Sequence, residues 1–301
     1  MAEGMFKALL YVFAAAAFAM AEVASGHRVP CYFVFGDSVF DNGNNNNLKT
    51  LVKVNHSPYG IGLTRGPTGR FSDGRNIPDF FAELMGFSDS IPPFTGASLE
   101  QAHTGLNYAS GGGGLRDETP YTTSRTFTYD QYADSLIRLY RSYLKSLYAL
   151  GARNVAVFGV SKLGCTPRMI ASHGGGLGCA TEVNKAVEVF NKNLKALVDE
   201  FNNKLNNKFN RIYPDAKFTF VDLFSGQNLI ALGFKVTDKS CCTVAPGQEF
   251  CVANKPVCTP REGYMFWDNV HSTEPANMVI AKAAFVGLIT CPYSIALLSV
   301  L

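Results

Sequence analysis

The chain has 301 residues, 47% of them hydrophobic and 17% charged, enough to bury a full core in one large domain or two small ones. Its 27 Lys and Arg stand against 24 Asp and Glu, a formal charge of +3. That balance, with no basic block and no interleaved aromatic stripe, argues against nucleic acid as a partner and against electrostatic capture by an anionic membrane.

The N-terminus reads as a targeting segment. Lys7 precedes an apolar run over residues 8–21, and the small residues Ala24, Ser25 and Gly26 follow. A basic start, an apolar middle and a small-residue end make a secretory signal peptide, too short to cross a bilayer. Cleavage is expected after Ser25, leaving one extracellular domain over residues 26–301; an N-terminal anchor is the competing reading. No later apolar run reaches spanning length, so the mature chain is expected to be soluble, without a membrane span.

Residues 32–35 form the first of four short β-rich runs, the others being 106–109, 155–158 and 218–221. Each is apolar over nearly its whole length, as a strand covered on both faces must be. Ser38 follows the first run in Gly36-Asp37-Ser38-Val39, where Gly36 lets the chain leave the strand tightly. A hydroxyl there faces the crevice at the carboxyl ends of the strands, where parallel α/β sheets bind ligands. A plain turn is the competing explanation for Gly-Asp-Ser alone. Further on, Asn55-His56-Ser57 is an N-glycosylation sequon, weakened by Pro58.

The second run leads through Asn107-Tyr108-Ala109-Ser110 into Gly111-Gly112-Gly113-Gly114. Glycines there let backbone N–H groups point at an anion, and one of them with the Ser38 N–H suits the oxyanion of a tetrahedral intermediate. The alternative is a flexible turn. A dinucleotide fingerprint fails, because Arg116 and Asp117 stand where glycine spacing would have to continue, and no G-x-S-x-G elbow occurs.

Leu136, Tyr140, Tyr143, Leu147 and Leu150 recur at helical steps, with Gly151 placed to end the helix. Val183, Val187, Phe190, Leu194, Leu197, Phe201 and Leu205 mark a second helix, with Thr181 as candidate N-cap. Both stripes read as core packing. Strands alternating with helices argue a parallel, doubly wound sheet. Cys165 and Cys179 bracket a Gly-rich loop, and Cys241, Cys242, Cys251 and Cys258 cluster later. In an oxidising compartment these are disulfide staples. A zinc site is the competing reading, but no C-x-x-C occurs and only 5 His are present.

The last chemical motif is Phe266-Trp267-Asp268-Asn269-Val270-His271, before a helix that opens after Thr273 and tolerates Pro275 in its first turn. A serine hydroxyl becomes a nucleophile when a neutral imidazole accepts its proton, and the imidazole needs a carboxylate to fix its tautomer. An Asp three residues upstream can supply that locally. A surface His near a helix start is the alternative.

Together, residues 35–47, 107–112, 151–167 and 266–277, with 67–77 and 121–133, resemble in order the signature blocks of the plant GDSL esterase/lipases of the SGNH hydrolase superfamily. The resemblance covers the chain from about Cys31 to the last helix. It implies a flavodoxin-like three-layer α/β/α sandwich and hydrolysis of carboxylic esters without metal or cofactor. It also implies a catalytic triad of Ser38, His271 and Asp268, and an oxyanion hole from Ser38 with Gly111 or Gly112.

One block departs from the pattern. The family carries a Gly-x-Asn-Asp motif whose Asn supplies a side-chain oxyanion donor, after a further helix and strand. Here Gly114-Leu115-Arg116-Asp117-Glu118-Thr119 runs almost directly into Pro120-Tyr121-Thr122, too short a stretch for a strand–helix unit. One internal strand–helix unit is expected to be missing, leaving the sheet to close over the gap or expose its edges. Val39 in place of the family's Leu is a minor change.

Three functions fit. The leading one is a secreted serine esterase or lipase working through an acyl-enzyme on Ser38. A truncated, catalytically impaired member that binds acyl or glycan ligands without turnover is the second, motivated by the absent Asn. Acyl transfer to an alcohol is the third. Lipid, polysaccharide and small-molecule esters all remain open as substrates.

Overall fold

The computed structural model describes residues 29–115, 127–202 and 213–301. The expected signal peptide and the junction at residues 118–121 lie outside them. The sheet that organises the fold has the order β1–β2–β5, with β1 (Asn154–Phe158) parallel to β2 (Lys217–Val221). β5 (Thr290–Cys291) adds antiparallel on the far side of β2, so the sheet is mixed and not wholly parallel as expected.

Side chains of β1 and β2 alternate between two cores, as the two-residue strand period requires. Val157, Phe218 and Phe220 pack with Ile137 and Leu144 of α3 (Tyr129–Ala149) and with Leu194, Leu197 and Val198 of α5 (Thr181–Asn202). Ala156, Phe158 and Val221 face the opposite layer, with Phe80 and Phe81 of α1 (Ile77–Leu84) and Ile280 and Ala284 of α7 (Glu274–Val286). Helices therefore cover both faces, giving the α/β/α layering. The short helices α2 (Leu99–Ala102), α4 (Pro167–His173), α6 (Leu223–Ala231) and α8 (Ile295–Leu298) complete the set among the described residues.

Local signals explain the boundaries. Thr128 caps α3 in a reciprocal capping box with Gln131, and Gly151 takes the left-handed φ of +104° just beyond its end. Thr181 is the first helical residue of α5 and not its cap. Thr273 precedes α7 without a side-chain cap; its hydroxyl donates instead to the Tyr264 carbonyl.

The first two predicted strands are an extended parallel pair, reduced to the single bridge Val34–Asn107. Backbone bonds Tyr32 N–H to Thr104, Val34 N–H to Leu106, Tyr108 N–H to Val34 and Ser110 N–H to Gly36 carry the pairing at 2.7–3.1 Å. No backbone bond joins this pair to β1 among the described residues; contact is made by side chains, Phe40 meeting Phe158 edge-on at 4.9 Å. The strand expected to be missing would fall in that gap if the sheet followed the 2-1-3-4-5 order. Phe33 and Phe35, on the opposite side from buried Val34, are 45% and 51% exposed. Phe35 stacks on Tyr108, and Tyr108 on Phe94, as an exposed ladder of rings.

A second, two-stranded parallel sheet was not foreseen: β3 (Val236–Ser240) beside β4 (Tyr264–Phe266). It carries the cysteine loop, in which Cys241 pairs with Cys258 and Cys242 with Cys251. Cys165 pairs with Cys179, while Cys31 and Cys291 are free thiols. A third apolar cluster lies beneath this loop and holds Val54, Tyr59, Phe71, Trp267 and the buried cystines.

Candidate active site

Ser38 and His271 come from opposite ends of the chain and meet. The Ser38 Oγ lies 2.8 Å from His271 Nε2, within reach for proton transfer. On its other side, His271 Nδ1 lies 2.9 and 3.0 Å from the two carboxylate oxygens of Asp268. A carboxylate only accepts, so Nδ1 carries the proton and Nε2 is left as the acceptor of the serine hydroxyl. Asp268 is fully buried and His271 is 4% exposed, whereas Ser38 is half-buried at the surface of the cleft.

The turn that presents Asp268 and His271 is tied down on several sides. Asp268 Oδ1 accepts from the Val270 and His271 N–H groups at 2.8 and 2.7 Å, closing the three-residue loop on its own carboxylate. Trp267 N–H donates to the His271 carbonyl, while Cys241 and Cys242 N–H both donate to the Trp267 carbonyl. The segment after residue 67 latches the same turn from the other side. Ser72 donates to the Ser272 carbonyl, Asp73 accepts from the Glu274 N–H and from Arg261, and Arg70 holds Asp79 with two bonds of 2.7 Å.

Burial pushes the His271 imidazole toward its neutral form, but the adjacent Asp268 carboxylate outweighs it, helped by Asp37 and Glu249. The net direction is upward from 6.5. Phe71 packs 4.9 Å from the imidazole centroid and Phe250 lies 6.0 Å away, nearly parallel, so the ring is walled by aromatics.

The glycine turn abuts the Ser38 loop. Ser110 N–H bonds to the Gly36 carbonyl, and a Cβ on Gly113 would stand 3.1 Å from that same oxygen. Gly111 and Gly112 differ in availability. The Gly111 N–H donates to Asp41 Oδ2 at 2.8 Å. The N–H groups of Ser38 and Gly112 have no acceptor among the described residues. Gly112 also adopts a φ of +79°, which a side chain would strain.

Several residues that matter here carried no sequence signal of their own. Asp41 is fully buried and accepts from the N–H groups of Gly43, Asn44 and Gly111; burial raises its pKa, and those N–H groups oppose the rise. Asn45 bridges the Val52 and Gly111 carbonyls and accepts from Ser110. Asn44 likewise bridges the Asn107 and Ala109 carbonyls. The asparagine run is thus a set of polar staples between the Ser38 loop and the glycine turn. Tyr59, also fully buried, donates to Asp268 Oδ2 at 2.7 Å. No group of three or more metal-ligating side chains occurs among the described residues.

The GDSL-like lipase/acylhydrolase family model matches residues 32–133 and 117–284. The chain belongs to this family. It is 61% identical to the GDSL esterase/lipase At2g19050 and 60% identical to At2g19060, both of Arabidopsis thaliana, with 99% of each chain covered in both cases. The Arabidopsis GDSL esterase/lipase At4g30140 is 51% identical over 98% of this chain and 99% of its own. The first of these alignments runs over 355 positions against the 301 residues here, so roughly fifty positions of that relative face gaps. The two matched family segments overlap at residues 117–133 instead of running on as one, which is where the sequence puts the missing unit.

Proposed function

We propose that this chain is a secreted serine esterase that cleaves carboxylic esters through an acyl-enzyme on Ser38. The observation that carries the reading is the 2.8 Å contact between Ser38 Oγ and an imidazole already oriented by Asp268. In this mechanism Ser38 Oγ attacks the ester carbonyl while its proton passes to His271 Nε2. The oxyanion takes hydrogen bonds from the Ser38 and Gly112 N–H groups. Collapse expels the alcohol, which leaves with the proton from His271. Water then enters, gives its proton to the same imidazole, and releases the acid from Ser38. Secretion is supported by the N-terminal residues and by three disulfides, which persist in oxidising compartments. No helix among the described residues is long and apolar enough to cross a membrane, and Asn55 of the sequon is exposed.

The absent Asn donor favours a second reading, a family member that binds ester or glycan ligands with little turnover. Hydrolysis of p-nitrophenyl acetate and butyrate by purified protein separates the two. The esterase releases p-nitrophenol above the buffer rate, and kcat/KM climbs with pH as the His271 imidazolium loses its Nε2 proton, with the midpoint above 6.5 because the Asp268 charge stabilises the imidazolium. A cooperatively melting protein with no release above buffer is the result expected of a binding protein. Ester products formed on addition of an alcohol would assign acyl transfer.

A further inference from the structure

Tyr59 lies outside the segments that carry the family resemblance and takes no part in the mechanism above, yet its hydroxyl sits between the triad acid and the cysteine loop. The Cys251 N–H donates to Tyr59 Oη at 3.0 Å. Tyr59 Oη lies 2.7 Å from Asp268 Oδ2. The direction of both bonds is forced. An N–H can only donate, so the hydroxyl accepts from Cys251; an ionised carboxylate can only accept, so the hydroxyl donates to Asp268. Turned away from Asp268, the phenolic proton would face the Cys251 N–H, and both bonds would be lost.

We propose that Tyr59 is a positioning residue for the triad, holding the Asp268 carboxylate edge-on to His271 and setting how strongly that carboxylate retains the imidazole proton. This rests on the esterase reading for its kinetic consequence, though not for its electrostatic one. Oδ1 of Asp268 takes two backbone N–H groups beside the 3.0 Å contact to His271, whereas among the described residues Oδ2 has only His271 and Tyr59. Remove the phenolic O–H, and a fully buried carboxylate is left with the imidazole as the sole donor on that oxygen. Its negative charge is then less dispersed, and its pull on the imidazolium is stronger. Burial and the Asp268 charge both push the phenol's pKa up, so it stays a neutral donor across the working range.

Tyr59 is wedged among rings, with His56, Phe71 and Trp267 each edge-on to it at centroid distances of 5.4, 6.5 and 6.4 Å. The ring fixes the hydroxyl, and the hydroxyl fixes the acid. Through Cys251, which is paired with Cys242, the disulfide loop backs the same contact. The charged groups that face His271 are Asp268 on its own turn, Asp37 from the nucleophile loop and Glu249 from the cysteine loop; a change at Tyr59 leaves the latter two in place.

The test is Tyr59→Phe, which keeps the ring and removes only the hydroxyl, with His271 titrated by ring NMR and kcat and KM measured over pH. The expected result is a His271 midpoint raised by about half a unit and kcat lowered roughly tenfold to a hundredfold with KM unchanged. A structural role alone would lower Tm and leave the midpoint and kcat where they were, and that result overturns the proposal. If Tyr59→Phe does not fold, 3-fluorotyrosine at position 59 keeps the shape and makes the hydroxyl a stronger donor. The midpoint then moves down; an unmoved midpoint overturns the proposal. The NMR titration needs no turnover. A protein that hydrolyses no ester yet shows the shifted midpoint sinks the esterase reading and leaves this one standing.

Discussion

Ser38→Ala is expected to lower kcat for p-nitrophenyl butyrate by at least about 10³-fold, with Tm within a degree or two of the parent. The size follows from what the hydroxyl does. Losing the nucleophile of a complete triad costs on the order of 10⁶ in turnover in a well-studied serine protease. On the proposed reading the Asn donor that the family resemblance implies is absent, and losing one such donor costs roughly 10²–10³, so less catalysis remains to be lost. The fold is insensitive because Ser38 is half-buried and its side chain bonds only to His271 among the described residues. A rate unchanged by the substitution would place any ester cleavage elsewhere on the molecule.

The second large effect runs the other way. Grafting the family's Gly-x-Asn-Asp block, with the helix and strand that carry it, between residues 115 and 121 is expected to raise kcat by roughly 10²–10³. Two causes act at once, and a control separates them. The block restores an Asn side chain as third oxyanion donor. It also fills the gap between the 32–36 segment and β1 and covers the exposed Phe33 and Phe35, which raises Tm. Replacing the grafted Asn by Ala keeps the second gain and loses the first. If that control retains the full increase in kcat, the missing donor is not what limits this chain.

The candidate triad was legible because two of its members are local to each other. Asp268 and His271 stand three residues apart in a run that leads into a Pro-bearing helix start, so one turn can hold both. The place of Ser38 just past an apolar run left a plain turn open, and it was the family resemblance that joined it to Asp268 and His271. The partners that steady them were not, because each acts across a long stretch of chain. Tyr59 reaches Asp268 over 209 positions, and Asp41 reaches Gly111 over 70. Asparagine favours turns, so the Asn-rich run names no partners in advance, and the fold shows its amides spent on particular carbonyls.

The same distinction runs through the architecture. β1 and β2 were visible as short apolar runs because both their faces are covered. β4 and β5 have three and two residues, too few for a period of two to register, and β3 carries Asp238 and Lys239 on a partly exposed edge. The first predicted pair is reduced to one bridge, and among the described residues no backbone bond joins it to β1. Cysteine clustering pointed to staples, but the nested pairing of Cys241 with Cys258 around Cys242 with Cys251 is fixed by the way β3 and β4 bring the loop ends together.

Whether His271 draws the proton from Ser38 is best read by labelling with a fluorophosphonate, followed by mass spectrometry of the peptide that carries residue 38. Adduct on Ser38, forming faster as pH rises through a midpoint above 6.5 and slowing by orders of magnitude in His271→Ala, is the outcome expected of the contact at 2.8 Å. Labelling that proceeds equally fast without the imidazole, or that never reaches Ser38 in folded protein, would contradict it.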